Sequence, residues 1–351
     1  MNKIKELFSL LFFLSFLLLL CIIASYKIYP LLQAYYQTSL NLTKINYPLP
    51  PHLTPPQPLL PSQINYQKKE KDYFLQIDSS QKLELQAFEN STINLFAPTE
   101  VNESSFINTI INIRGMNTIF KNTIFRNVKM VVQPNSIVRL QNIHWQDNTN
   151  NFSIFIDDHS QLRINNSIIE KNQSSPLIKL RGLSEIHLKN SIIRENQGIL
   201  IENESFYKKN LSGQEELHSP QLFIQGNLFQ NQKGTLFQLT QIHGPGSYFK
   251  ENIFQNTSPT PSNLLKLKNS PHSYLLWQNN KIENEKIIIE DSSEIIFWNN
   301  IFPKFSNPPA IILKKSTLIT FQYNNFSLPR SLFLSADPGT QIEWVLNNEK
   351  E

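Results

Sequence analysis

Cysteine is almost missing from this chain. Cys21 is the only one in 351 residues, and it lies inside an apolar run. A disulfide framework, a cysteine metal centre and a thiol nucleophile are therefore excluded from everything beyond that run. Glycine is scarce as well, nine in all, where an average protein has about 7%. No Asn-Gly or Asp-Gly pair occurs, so the strongest signal for tight antiparallel hairpins is absent. Between the short strands of the repeat no segment carries a sustained helical stripe. Charge is low: 32 Lys and Arg against 28 Asp and Glu, net +4. No basic cluster accompanies a recognised motif, so no nucleic-acid partner is expected. His144, His218, His243 and His272 are scattered without metal-ligand spacing, so neither a metal nor a cofactor is expected.

Repetition is what the chain has instead. A motif of large apolar residue, any residue, Asn, two residues, large apolar residue returns throughout. It begins at Leu140, Ile164 and Leu188, 24 residues apart, and in looser form at Phe120, Ile224, Phe249, Trp277, Phe297 and Phe321. Gly226, Glu251 and Tyr323 replace the Asn in three copies. Successive spacings from Phe120 are 20, 24, 24, 36, 25, 28, 20 and 24, and a period of this size means a repeat architecture. Each copy closes a short alternating segment such as Val138-Arg139-Leu140, the strand signature. A second apolar strand follows in each period, for example 152–156 or 287–289. Short strands with polar corners every ~24 residues describe the coils of a parallel β-helix, whose neighbours must stack to bury their apolar faces. Asn suits the corner: it tolerates the left-handed region and bonds its own backbone. Stacked on successive coils, such residues can also form an amide ladder.

These features resemble the right-handed parallel β-helix proteins of the pectate-lyase-like superfamily. Phe249-Lys250-Glu251-Asn252 and Phe321-Gln322-Tyr323-Asn324 also resemble the Phe-x-x-Asn repeats of bacterial polymorphic outer-membrane proteins, although the companion Gly-Gly-Ala-Ile tetrapeptide is absent. The resemblance covers roughly residues 80–348. It implies an all-β, single-stranded, right-handed solenoid of about nine to ten coils.

The rest of the chain divides into 1–6, a cytoplasmic tip; 7–26, an uncharged apolar run long enough for a transmembrane signal-anchor, with a cleaved signal peptide as the alternative; and 27–74, a linker. That linker holds seven prolines between Pro48 and Pro61, a semi-rigid extended stalk, and a solvated charge cluster at 67–72. The β-helix is expected over 75–351, with irregular coils or a cap over 75–119.

Aligning the coils makes outward positions readable. Arg139, Arg163 and His187 stack as a basic column, a candidate track for an acidic glycan, with an ordinary solvated face as the alternative. Phe223, Tyr248, Leu276 and Ile296 continue that column, with Trp298 nearby, as an apolar patch for a partner; a register slip by one would turn them inward. Asp157, Asp158 and His159 form the most catalytic-looking cluster, since paired carboxylates with a His can do acid/base work on a glycan. The resemblance implies further Asp, His and Arg-Lys motifs on adjacent coils; Arg181-Gly182 and Glu202-Asn203 stand there instead, so a polar turn is the simpler reading. Glu170 with Arg194, and Lys171 with Glu195, read as exposed salt ladders. The 36-residue period marks an insertion near 202–220, the preferred place for ligand contacts.

The leading functional expectation is a membrane-anchored, non-catalytic β-helix outside the cytoplasm that binds a glycan or protein partner along its side. A polysaccharide lyase or hydrolase acting on acidic glycans, and a structural surface protein or adhesin, remain as alternatives.

Overall fold

The structure is a computed structural model and describes residues 66–349 except 116, 211, 245 and 304. The apolar run at 7–26 and the Pro-rich stalk at 48–61 lie outside the described residues. Among the described residues no helix is long and apolar enough to cross a membrane.

Strands follow one another along three faces, and every strand of these faces pairs in parallel with its equivalent one coil away. The first sheet has 13 strands, from Lys68–Lys71 to Asn348–Glu349. The second and third faces together form a 23-stranded sheet, because the long strand Glu285–Trp298 runs through both without a break. The second face runs from Phe74–Ile77 to Leu334–Ala336 and the third from Gln81–Glu84 to Ile342–Val345. Among the described residues the result is a right-handed parallel β-helix of twelve coils and the first strand of a thirteenth.

The count exceeds the nine to ten read from the sequence, and the surplus lies at the start. Lys68–Lys71 sits in the stretch taken as linker, yet it pairs with Gln86–Glu89. Its side chains show no apolar alternation because three of the four face solvent. Residues 75–119 form ordinary coils, with Phe88, Phe106, Val101 and Phe120 buried in register with later coils.

Alternation on the three faces fills one continuous core. On the first face, Phe88, Phe106, Phe125 and Trp145 stack with centroids 5.3, 5.5 and 4.5 Å apart. On the third, Phe249 lies flat on Trp277 at 4.0 Å, and Phe297 on Phe321 at 4.8 Å. The sequence motif is thereby explained. Its first apolar residue ends an inward position on the third face, and its last begins one on the first.

Between them lies the motif corner. From Leu85 to Leu346 the corner residue of all twelve coils has φ between 47° and 66°, a region L-residues favour only when short and polar or glycine. Asn122, Asn142, Asn166, Asn190, Asn279 and Asn299 fill half of these positions. The expected amide ladder lies one residue later. Asn227, Asn252, Asn280, Asn300 and Asn324 are buried, and each donates from Nδ2 to Oδ1 of the next at 2.9–3.0 Å, ending on Asn347. At the motif Asn itself only fragments form, such as Asn299 to Asn279 at 2.8 Å. In earlier coils Ser takes the buried position: Ser167 Oγ accepts the Ile143 N–H and donates to the Asn165 carbonyl.

The salt ladder read at Glu170 also changes character. Glu170 is buried, with only 6% of its side chain exposed, and accepts from Arg194 Nε at 2.6 Å while pairing with His144 Nε2 at 2.9 Å. Burial alone raises its pKa, but the two hydrogen bonds and charges outweigh that and hold it below the usual carboxylate range.

Candidate functional site

The outer surface of the third face follows the register read from the sequence. Arg139, Arg163, His187, Phe223, Tyr248, Leu276 and Ile296 pair in succession, one per coil. All are half-buried or exposed while their strand neighbours are buried, so the apolar part of the column points outward and the register slip does not occur. Trp298 lies in the adjoining outward column, beside Gln278 and Gln322.

The column divides into two stretches. Among the described residues no carboxylate pairs with Arg139 or Arg163; Arg163 Nη2 donates to Gln161 at 2.9 Å. His187 belongs with the aromatics rather than with the cations. Its ring stacks on Phe223 at 4.4 Å, and Phe223 meets Tyr248 edge-on at 5.3 Å. Burial pushes the His187 pKa down and Arg163 adds to this, against the opposing hydrogen bond that Glu185 accepts from the ring. The expected three-cation column is thus two stacked arginines followed by a ring stack.

The insertion is built as a small antiparallel hairpin, Phe206–Lys209 with Glu215–His218. It supplies a hairpin that lacks the usual turn dipeptide: Asn210 Oδ1 accepts from the Ser212 and Gln214 N–H groups, and Gly213 takes φ 81°. The hairpin leaves the corner between the second and third faces and folds back over Asp157, Asp158 and His159, two coils away.

There the two carboxylates turn apart. Asp157 Oδ1 accepts the Asp158 N–H at 2.8 Å and lies 3.6 Å from Arg181. Asp158 Oδ1 accepts the Leu183 N–H at 2.8 Å and lies 3.4 Å from His218 Nδ1, while Oδ2 lies 3.0 Å from His159 Nδ1. Burial works to raise the Asp158 pKa; the Leu183 N–H, His159 and His218 together overcome it and keep the group below the ordinary value. Asp158 thus lacks the raised pKa of a general acid, and the two carboxyls do not face each other across a water-sized gap. Gly182 is required beneath this cluster. Its φ is +60°, and a Cβ would collide with Asp158 Oδ1 and meet Phe206 at 2.8 Å. Phe206 in turn lies under the Arg181 guanidinium at 5.3 Å and beside the His218 ring.

Sequence reasoning singled out Asp158, His159 and the insertion separately but set His218 aside as scattered. Asp158 and His218 are 60 residues apart. The usable signal was the 36-residue period, which placed the insertion's end two coils from the Asp158 corner. His243 and His272 share that corner further along, with rings 6.0 Å apart.

The coil geometry defines the class, a right-handed parallel β-helix, and comparison with solved structures agrees. The chain is similar to the periplasmic alginate epimerase AlgG, with TM-score 0.56 and 11% identity over 75% of this chain and 77% of that one. A double mutant of the same epimerase matches with TM-score 0.53 and 10% identity over the same shares. At such identity the likeness is one of fold. No family model and no curated protein matches the chain.

Proposed function

We propose that this protein is an extracytoplasmic, non-catalytic β-helix that binds an acidic glycan along the outer third face. The carrying observation is the single column in which the unpaired, stacked Arg139 and Arg163 run directly into the His187–Phe223–Tyr248 ring stack. Two like charges on adjacent rungs repel, and a bound anion relieves that cost. The rings beyond supply flat apolar faces, onto which a sugar ring packs. The apolar run at 7–26 fits this reading as a tether. The divided partners of Asp157 and Asp158 favour binding over hydrolysis.

Alginate oligosaccharides, from the polymer named with the matching epimerase fold, are the first probe, with oligogalacturonate beside them and a neutral glucan as control. Titration calorimetry is expected to show binding of the acidic oligosaccharides that weakens with salt. Arg163→Glu is expected to abolish it, and Phe223→Ala to weaken it about tenfold, the value of one stacking contact. Equal binding by Arg163→Glu and the parent protein overturns the proposal.

A further inference from the structure

We propose a divalent transition-metal site, best suited to Zn2+, formed by Asp158 and His159 on one coil and His218 from the hairpin. Among the described residues these three make the one group whose His nitrogens and carboxylate oxygen converge, with all three ligand atoms within 4.8 Å of one another. Tetrahedral zinc with bonds of about 2.0–2.1 Å sets its ligand atoms roughly 3.3 Å apart. The two Asp158-to-imidazole separations, 3.0 Å from Oδ2 to His159 and 3.4 Å from Oδ1 to His218, straddle that spacing. The imidazoles meet different oxygens of one carboxylate, so an ion between them draws the three side chains together by rotation.

The surroundings hold the ligands in place. The Leu183 N–H fixes the Asp158 carboxylate at 2.8 Å, a hydrogen-bonded support of the kind that orients metal ligands. His218 is buried, wedged between the rings of Phe206 and His159 at 5.3 and 5.6 Å. His159 is half open to solvent, so the fourth position faces water. Two imidazoles and one carboxylate with an open position match the donor set of zinc better than that of calcium or magnesium, which take oxygen ligands. Cations also stand near. Arg181 is held by Asp157 and Glu204. Lys208 Nζ, 3.9 Å from Asp158 Oδ2, sits on an exposed and flexible side chain that can swing away. A metal here ties the hairpin to a coil 60 residues earlier in sequence, a cross-link that closes a long loop.

The test uses the untagged full chain and ZnCl2 alone. Titration calorimetry is expected to give one saturable Zn2+ per chain. His218→Ala and, separately, the solvent-side His159→Asn are each expected to weaken it by more than ~100-fold, since even supporting residues around a metal cost ~10–100-fold. His243→Leu, further along the same corner, is expected to leave stoichiometry and affinity unchanged. Lys208→Ala is expected to bind as tightly as the parent or tighter. Zn2+ is also expected to slow trypsin cleavage after Lys208 and Lys209 in the parent and not in His159→Asn. The proposal is overturned if no saturable Zn2+ binding occurs, if His159→Asn and His218→Ala bind as the parent does, or if His243→Leu loses the ion.

Discussion

The motif corner, between the third and first faces, and the hairpin corner, between the second and third, obey opposite rules. At the motif corner every coil turns through one left-handed residue, and from Asn227 to Asn324 the next residue is tied to its equivalents above and below. At the hairpin corner the connection ranges from none, where Glu285–Trp298 runs straight through, to a complete hairpin. His159, His218, His243, His272 and Glu294 occupy that corner in different coils. A position bonded in both directions along the axis tolerates little change, because each substitution orphans partners in two neighbouring coils. A corner without such bonds can accept insertions and diverse side chains, and chemistry collects there.

The sharpest way to break this contrast is substitution of one ladder residue. Asn280→Leu removes the acceptor of the Asn252 N–H and Nδ2 and the donor to the Phe249 carbonyl and Asn300 Oδ1. At ~1–3 kcal/mol for each buried group left unpaired, a loss of at least ~3 kcal/mol is expected in urea denaturation. His243→Leu at the other corner is expected to change stability by less than ~0.5 kcal/mol. Similar costs for the two would erase the distinction.

The third corner, between the first and second faces, gives a pH-dependent test. Glu285 is buried there, and burial pushes its pKa up to about 8 against the opposing Ser262 hydrogen bond of 2.6 Å. The folded state thus holds the proton that the unfolded chain releases near its ordinary value of 4.5. Stability is full below that value, falls as pH rises, and reaches its full loss above about 8. The loss by pH 7 is on the order of 3 kcal/mol. Denaturation between pH 4.5 and 8 is expected to show this slope in the parent and not in Glu285→Gln.

Gly182→Ala addresses the hairpin corner at its one rigid point. The added Cβ collides with Asp158 and Phe206 and strains a left-handed backbone. A cost of about 2 kcal/mol and faster trypsin cleavage of the hairpin are expected. The smallest effect belongs to Asp158. Its folded pKa is lowered, so its contribution is present above the unfolded value and is lost as pH falls through the folded one. Melting curves of the parent and Asp158→Asn are expected to converge as the pH is lowered into that range.

Alternation and left-handed corners are local in sequence, which is why strand order, register and the Arg139–Ile296 column were legible. What escaped was set by distance or by the edges of elements. Asp158 meets His218 only because a hairpin folds back across two coils, and no periodicity records that. Glu170 is buried because His144 and Arg194 close on it from the coils before and after, and only the Arg194 pairing could be read from alignment. Lys68–Lys71 belongs to the first coil because its backbone has a parallel partner, which its charged side chains do not reveal.

The buried ladder from Asn227 to Asn347 also has a direction. Each Oδ1 is fixed by accepting the preceding coil's backbone N–H as well as its Nδ2, as Asn280 does from Asn252, so no amide in the row can be flipped. The side-chain dipoles therefore align head to tail and polarise one another. The fragments at the exposed corner run the other way, each donating to the coil before. The interior of this solenoid is thus electrically polar, a column of oriented amides whose positive pole is its C-terminal end.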